Sequence, residues 1–193
     1  MKGDWRARIV ERLNEAAWAK VMMLQESAPV IEQVARTLVA ALRAGRRVYV
    51  FGNGGSAADA QHIACELEGR FYRERRALPV TALTTNTSTL TAVGNDYDYA
   101  ATFRRQVEAH VRHGDVAIAI STSGNSRNVI EAAAAARKLG ATVVAFTGRK
   151  GGKLARKADV CFRAPSDDTP RIQECHITAG HIVCELVEEA LSR

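Results

Sequence analysis

From Arg46 onward the chain alternates five times between a short β-branched run and a stretch with helical spacing. RRVYVFG precedes a helix opened by Ser56, LPVTAL a helical stretch around Ser88 to Val93, and DVAIAIS the helix NVIEAAAAARKLG. ATVVAFTG then leads into GGKLARKA, and DVCFRAP into a long final helix, IQECHITAGHIVCELVEEAL. Strand–helix alternation of this kind predicts a parallel sheet with helices on both faces. Its strongest strands are almost wholly apolar, as strands buried on both sides must be. The expected fold is α/β, a doubly wound, flavodoxin-like parallel sheet of five strands. Ahead of it, Trp5, Ile9, Leu13, Ala16 and Ala17 recur at helical spacing, and VIEQVARTLVAALRAG makes a second helix that closes at Gly45 with Arg43 in its last turn.

Composition narrows the classes. At 193 residues, 47% apolar and 25% charged, the chain suits one soluble domain: a helical extension over about 1–45 and a core over about 46–193. No window approaches about 18 uninterrupted apolar residues, and MKGDWRARIVERLNEAAWAK mixes charge into a helical pattern rather than forming a signal peptide. We therefore expect a cytoplasmic protein with no membrane partner. Cys65, Cys161, Cys175 and Cys184 form no CxxC pair and read as small buried hydrophobes. A net charge of +6 permits a polyanion, but the basic residues are scattered and aromatics are only 6%. An anionic small molecule accounts for the charge without nucleic acid.

In a doubly wound sheet, ligands gather at the carboxyl ends of the strands. Small polar residues stand there: GNGGS after the first strand, TTNTS after the second, STSGNS after the third and TGRKGG after the fourth. STSGNS offers Ser121, Thr122, Ser123 and Ser126, a glycine that admits close backbone approach, and a helix amino terminus that favours an anion. Asn125 or Ser126 could instead serve only as a cap. The loop matches neither the nucleotide-triphosphate loop nor the dinucleotide fingerprint, which leaves a phosphate monoester.

AISTSGNSRNVIEAAAAARKLGATVVAFTG resembles the core of the sugar isomerase, or SIS, domain, whose members bind phosphosugars. FGNGGSAADAQH, VGNDYDY and RIQECHITAGHIVCELVE extend the likeness over nearly the whole chain to the bacterial phosphoheptose isomerase family. That resemblance implies conversion of sedoheptulose 7-phosphate to D-glycero-D-manno-heptose 7-phosphate through an enediol, supplying heptose for surface glycans such as lipopolysaccharide. It also implies a homotetramer with active sites at subunit contacts. A second reading is a non-catalytic SIS adaptor like the bacterial protein that binds the replication initiator. That relative lacks the acid and the terminal-helix histidine, which here are Glu66 and His181. A third is another phosphosugar isomerase of the same fold.

His62 and Glu66, four residues apart, share a helix face. Such a pair is compatible with a metal or with a simple intrahelical contact. Gln173 and His181 are eight residues apart, about 12 Å along a helix, and can meet one atom only by leaning together. The resemblance makes His62, Glu66, Gln173 and His181 the ligands of one zinc per subunit, and Glu66 with His181 is our candidate acid–base pair. Asn53, Gly54 and Gly55 are expected to hold the sugar, with Glu66 and Gln173 also touching it. Asn95 and Asp96 of GND are expected on its hydroxyls, although GNDYD also reads as a turn. His110 and His113 are expected in solvent, and His176 as a packing or surface residue.

Overall fold

The computed structural model describes residues 4–192, so Met1 to Gly3 and Arg193 of the sequence reading lie outside it. Its sheet consists of β1 (Val48–Gly52), β2 (Val80–Ala82), β3 (Val116–Ser121), β4 (Thr142–Thr147) and β5 (Val160–Arg163), all parallel, in the order β2-β1-β3-β4-β5. Each strand falls within the run that predicts it. Strand order reverses at β1 and β3, so the crevice forms where these two strands end together, Gly52 beside Ile120. GNGGS and STSGNS leave the sheet there.

Alternation along the strands makes two cores. Val48, Val50, Ile118, Ile120, Val144 and Phe146 face α2 (Ala28–Arg43), α3 (Gly55–Glu68) and α8 (Thr169–Leu191). Tyr49, Phe51, Ala117, Ala119, Val143 and Ala145 face α5 (Thr102–His110) and α6 (Arg127–Lys138). The alanine run of α6 is explained by this second core: Ala132, Ala133 and Ala136 are fully buried against the strand alanines, small side chain upon small. α1 (Trp5–Glu26) lies outside the sheet layers and packs chiefly on α8 and α2.

Between β2 and α5, α4 (Thr87–Asp96) starts at Asn86, whose side chain accepts the Thr89 N–H at 3.0 Å as an N-cap. Gly94, Asn95 and Asp96 form its last turn, so the turn reading of GNDYD holds only from Tyr97, ahead of a 3-10 turn at Tyr99–Ala101. α7 is a single short turn, Gly152–Ala155. Pro170 sits in the first turn of α8, where a missing N–H costs no intrahelical bond. The four cysteines are free; Cys175 and Cys184 are buried as expected, whereas Cys161 is half-buried and Cys65 exposed. Among the described residues no helix is long and apolar enough to cross a membrane.

Candidate active site

The turn after β1 is built on close contact. A side chain on Gly52 would meet Ser56 Cβ at 2.8 Å and the Ile120 carbonyl at 2.9 Å. Gly54 takes φ +57°, which L residues rarely adopt, and Gly55 packs on the Gln173 amide with no room for a Cβ. Asn53 exchanges amide hydrogen bonds with Asn128, 2.9 Å in each direction, and its Oδ1 also accepts from the Tyr99 hydroxyl at 3.0 Å. Its amide is therefore engaged by protein, which sequence reading, looking for a sugar contact, did not anticipate. Asn128 and Tyr99 join the site's support: one is buried on α6, the other follows VGND. Asn95 and Asp96 are exposed and bonded to each other at 2.8 Å.

STSGNS lies one strand away. Ser121 Oγ and Ser126 Oγ are 2.9 Å apart, and Ser123 Oγ accepts the Asn125 N–H at 3.1 Å. Neither Ser126 nor Asn125 caps α6: Ser126, at the N-cap, makes no side-chain cap bond, and Asn125 Oδ1 accepts the Lys153 N–H at 3.1 Å. Neither Ser126 nor Asn125 therefore takes up the capping role, and of the first-turn N–H groups of α6 only that of Val129 is held by a side chain, Asn128 Oδ1 at 3.0 Å, among the described residues. Gly124, at φ +64°, locks the loop from behind, since a Cβ there would strike the backbone of Gly151. The Leu154 N–H donates to the Gly124 carbonyl at 2.9 Å.

Behind the first turn, α3 and α8 meet along a seam in which Gly180 would place a Cβ 3.0 Å from Ile63. That close approach brings His62, on α3, opposite His181, on α8. The two Nε2 atoms stand 2.9 Å apart, His62 Nε2 is 3.2 Å from Glu66 Oε1, and the ligand atoms of all three residues lie within 4.8 Å of one another. For zinc–donor bonds of about 2.0–2.1 Å, tetrahedral neighbours stand roughly 3.3 Å apart; the two contacts of His62, at 2.9 and 3.2 Å, match such edges, and Glu66 and His181 stand within 4.8 Å of each other. Facing imidazole nitrogens share at most one proton between them, and a carboxylate beside them adds negative charge, so the donor set suits a cation. The Gln173 amide lies against Gly55, the first residue of α3.

The surroundings are polarised by burial. Asp59, one turn before His62, has Oδ2 buried without a hydrogen-bond partner among the described residues; burial pushes its carboxyl up to about 6 and the His62 charge pulls it partly back. Phe71 stands against the His181 ring, 5.8 Å between centroids. The side chain of His62 is 49% exposed, so in the single chain the cluster opens to solvent. His110 and His113 are exposed as expected, whereas His176 is fully buried.

Comparison with known proteins follows the same outline. The SIS domain family model matches residues 14–148. The phosphoheptose isomerase of Aquifex aeolicus is 57% identical over 182 residues, covering 94% of this chain and 95% of that protein. The phosphoheptose isomerase of Rhodospirillum rubrum is 58% identical over 168 residues, covering 87% and 89%. Among solved structures, phosphoheptose isomerase from Neisseria gonorrhoeae superposes with a TM-score of 0.92 at 41% identity, covering 96% of this chain and 99% of that one.

Proposed function

The chain belongs to the phosphoheptose isomerases of the SIS-domain family, and we propose that it converts sedoheptulose 7-phosphate to D-glycero-D-manno-heptose 7-phosphate by proton transfer at Glu66 and His181. The observation that carries the reading is the convergence of His62, Glu66 and His181 across the α3–α8 seam, behind the switch-point crevice. A non-catalytic adaptor has no use for that constellation.

In this reading STSGNS takes the phosphate. Hydroxyls of Thr122, Ser123 and Ser126 and the N–H groups of Arg127 and Asn128 at the start of α6 are its donors, with Ser121 orienting Ser126. GNGGS lies along the sugar and presents backbone, and Asn95 and Asp96 reach its hydroxyls. One member of the Glu66–His181 pair takes a proton from C1, next to the C2 carbonyl. O2 gains a proton from water as the enediol forms, O1 gives one up to water as the aldehyde forms, the other member returns a proton to C2, and proton exchange with water resets the pair. His62 Nε2 stands against both members of the pair, His181 Nε2 at 2.9 Å and Glu66 Oε1 at 3.2 Å, and so ties one to the other.

His62, Glu66 and His181 would hold one zinc per subunit, with Gln173 as the fourth donor that the family resemblance supplies. When bound, zinc polarises the carbonyl and stabilises negative charge on the enediol oxygens. Because Gln173 rests on Gly55, a fourth donor calls for a side-chain movement or a neighbouring subunit. The latter accords with a homotetramer whose sites lie at subunit contacts. We read the whole chain as one SIS domain with a helical extension over about 1–45, acting in the cytoplasm.

The test is isomerisation in heavy water, with deuterium at the first two carbons followed by NMR. The wild type should label them, and Glu66→Gln and His181→Ala should each lower turnover by about 10²–10⁴-fold, the usual share of a positioned acid or base. Variants that label at the wild-type rate would remove the assignment.

A further inference from the structure

Outside the proton-transfer cluster, α8 carries one more buried acid. Glu188, 1% exposed, lies seven residues after His181 and on the same face of the helix. Its carboxylate accepts three consecutive backbone N–H groups, from Phe71 at 2.8 Å, Tyr72 at 2.6 Å and Arg73 at 2.9 Å. Burial pushes the Glu188 carboxyl up, but these donors and Arg75 outweigh it and hold it below the usual carboxylate range. Arg75 Nε faces Glu188 Oε1 at 3.4 Å, an ion pair without hydrogen-bond alignment, and both side chains are 2% exposed. The remaining Arg75 donors reach the carbonyls of Glu66 at 2.9 Å, Gly69 at 3.1 Å and Arg76 at 3.0 Å.

A buried ion pair is a costly way to end a helix, since desolvating two charges consumes most of their attraction. The segment it secures is a surface turn, whose N–H groups water could serve. What distinguishes this turn is its contacts. Phe71 is the residue whose ring stands against His181, and one of the three carbonyls that Arg75 holds is that of Glu66. Each half of the ion pair therefore ends at one member of the proton-transfer pair.

We propose that Glu188 is a positioning residue: by gathering the backbone of residues 71–73 it holds the Phe71 ring against His181 and fixes the imidazole's orientation for proton transfer. The proposal rests on the reading of His181 as one of that pair. Glu188→Gln keeps the shape but presents an amide N–H₂ to backbone donors, so at least part of the turn must let go.

The experiment compares zinc-loaded Glu188→Gln, Phe71→Leu and the double variant, with histidine ring carbons labelled for NMR. Each single variant should lower kcat by tenfold or more, since a displacement of about 1 Å can cost 10²-fold. KM should stay within about twofold, because substrate contacts are untouched. The double variant should lose no more than the worse single, as expected of residues acting through one path. In Glu188→Gln the His181 ring resonance should move, which lost stability alone would not cause. Wild-type kcat with an unmoved His181 resonance, or losses that multiply in the double variant, would overturn the proposal. Should Glu188→Gln not fold, wild-type kcat in Phe71→Leu would do the same. The resonance is read without turnover, so a wild type inactive on the sugar phosphate would remove the functional reading while the shift still decides the coupling.

Discussion

Burial decides what each imidazole of this chain can do. His62 and His181 lie at the open edge of the α3–α8 seam with their Nε2 atoms converging, whereas His176, one and a half turns before His181 on the same helix, is sealed between Phe146 and Phe162. Its Nε2–H donates to the Thr147 carbonyl at 3.0 Å, and its Nδ1 has no partner among the described residues. Burial therefore lowers its pKa to about 4, with the Thr147 contact opposing the fall. A neutral native imidazole contributes stability that is fully present above about 6.5 and lost as pH falls towards 4, because only the unfolded chain takes up the proton there. Between pH 7 and pH 4 that loss should reach about 3 kcal/mol. Asp59, raised to about 6, works in the opposite direction over the same window, so the raw profile mixes the two. The difference between wild type and His176→Leu in metal-free urea unfolding, at one protein concentration, separates them. The variant should be less sensitive to acid by about that amount, and identical pH slopes would show that His176 does not stay neutral.

At the scale of elements, the site exists because two helices approach closely. Gly180 leaves space for Ile63 of α3, a close approach that favours the contact of His62 and His181 across the seam. Gly180→Val should push the helices apart, weaken zinc binding by tenfold or more in a chelator competition, and cost about 1–3 kcal/mol of stability, the usual range for overpacking. Unchanged zinc affinity would show that the seam does not set the cluster. This dependence also marks where sequence reading succeeds. Five strands, the crevice loops and the His62–Glu66 pairing were legible, because each depends on periodicity or spacing within one segment. Gly180, Asn128, Tyr99 and Phe71 were not, because each matters through a neighbour distant in the chain. For Asn53 the motif was visible, but not that its amide is committed to Asn128 and Tyr99. Gln173 shows the converse, since a resemblance supplies its role while the single chain leaves it against Gly55.

For the whole molecule, the unusual feature is how much apolar surface α1 leaves open. Trp5, Ile9, Leu13 and Leu24 are between 58% and 80% exposed, although their spacing is that of a buried helix face. Between α1, α2 and α8 runs a groove of about 920 Å³ lined by Met23, Leu24, Ile31, Val39, Ile182 and Leu186. Leu24 belongs to both stripe and groove, and apolar surface of this extent is what a contact between symmetry-related copies would cover. The half-exposed His62 is covered only if such copies also meet near the mouth of the site. The homotetramer proposed above predicts four times the chain mass of 20.9 kDa in light scattering on the zinc-loaded protein. Leu13→Glu with Leu24→Glu places two charges in the stripe, where burial without a partner costs several kcal/mol each. The double variant should fall to smaller species and lose turnover, while its circular dichroism stays that of a folded α/β chain. A wild type that scatters as a single chain at micromolar concentration, yet isomerises the sugar phosphate, would show that one subunit is sufficient and that the open face serves another purpose.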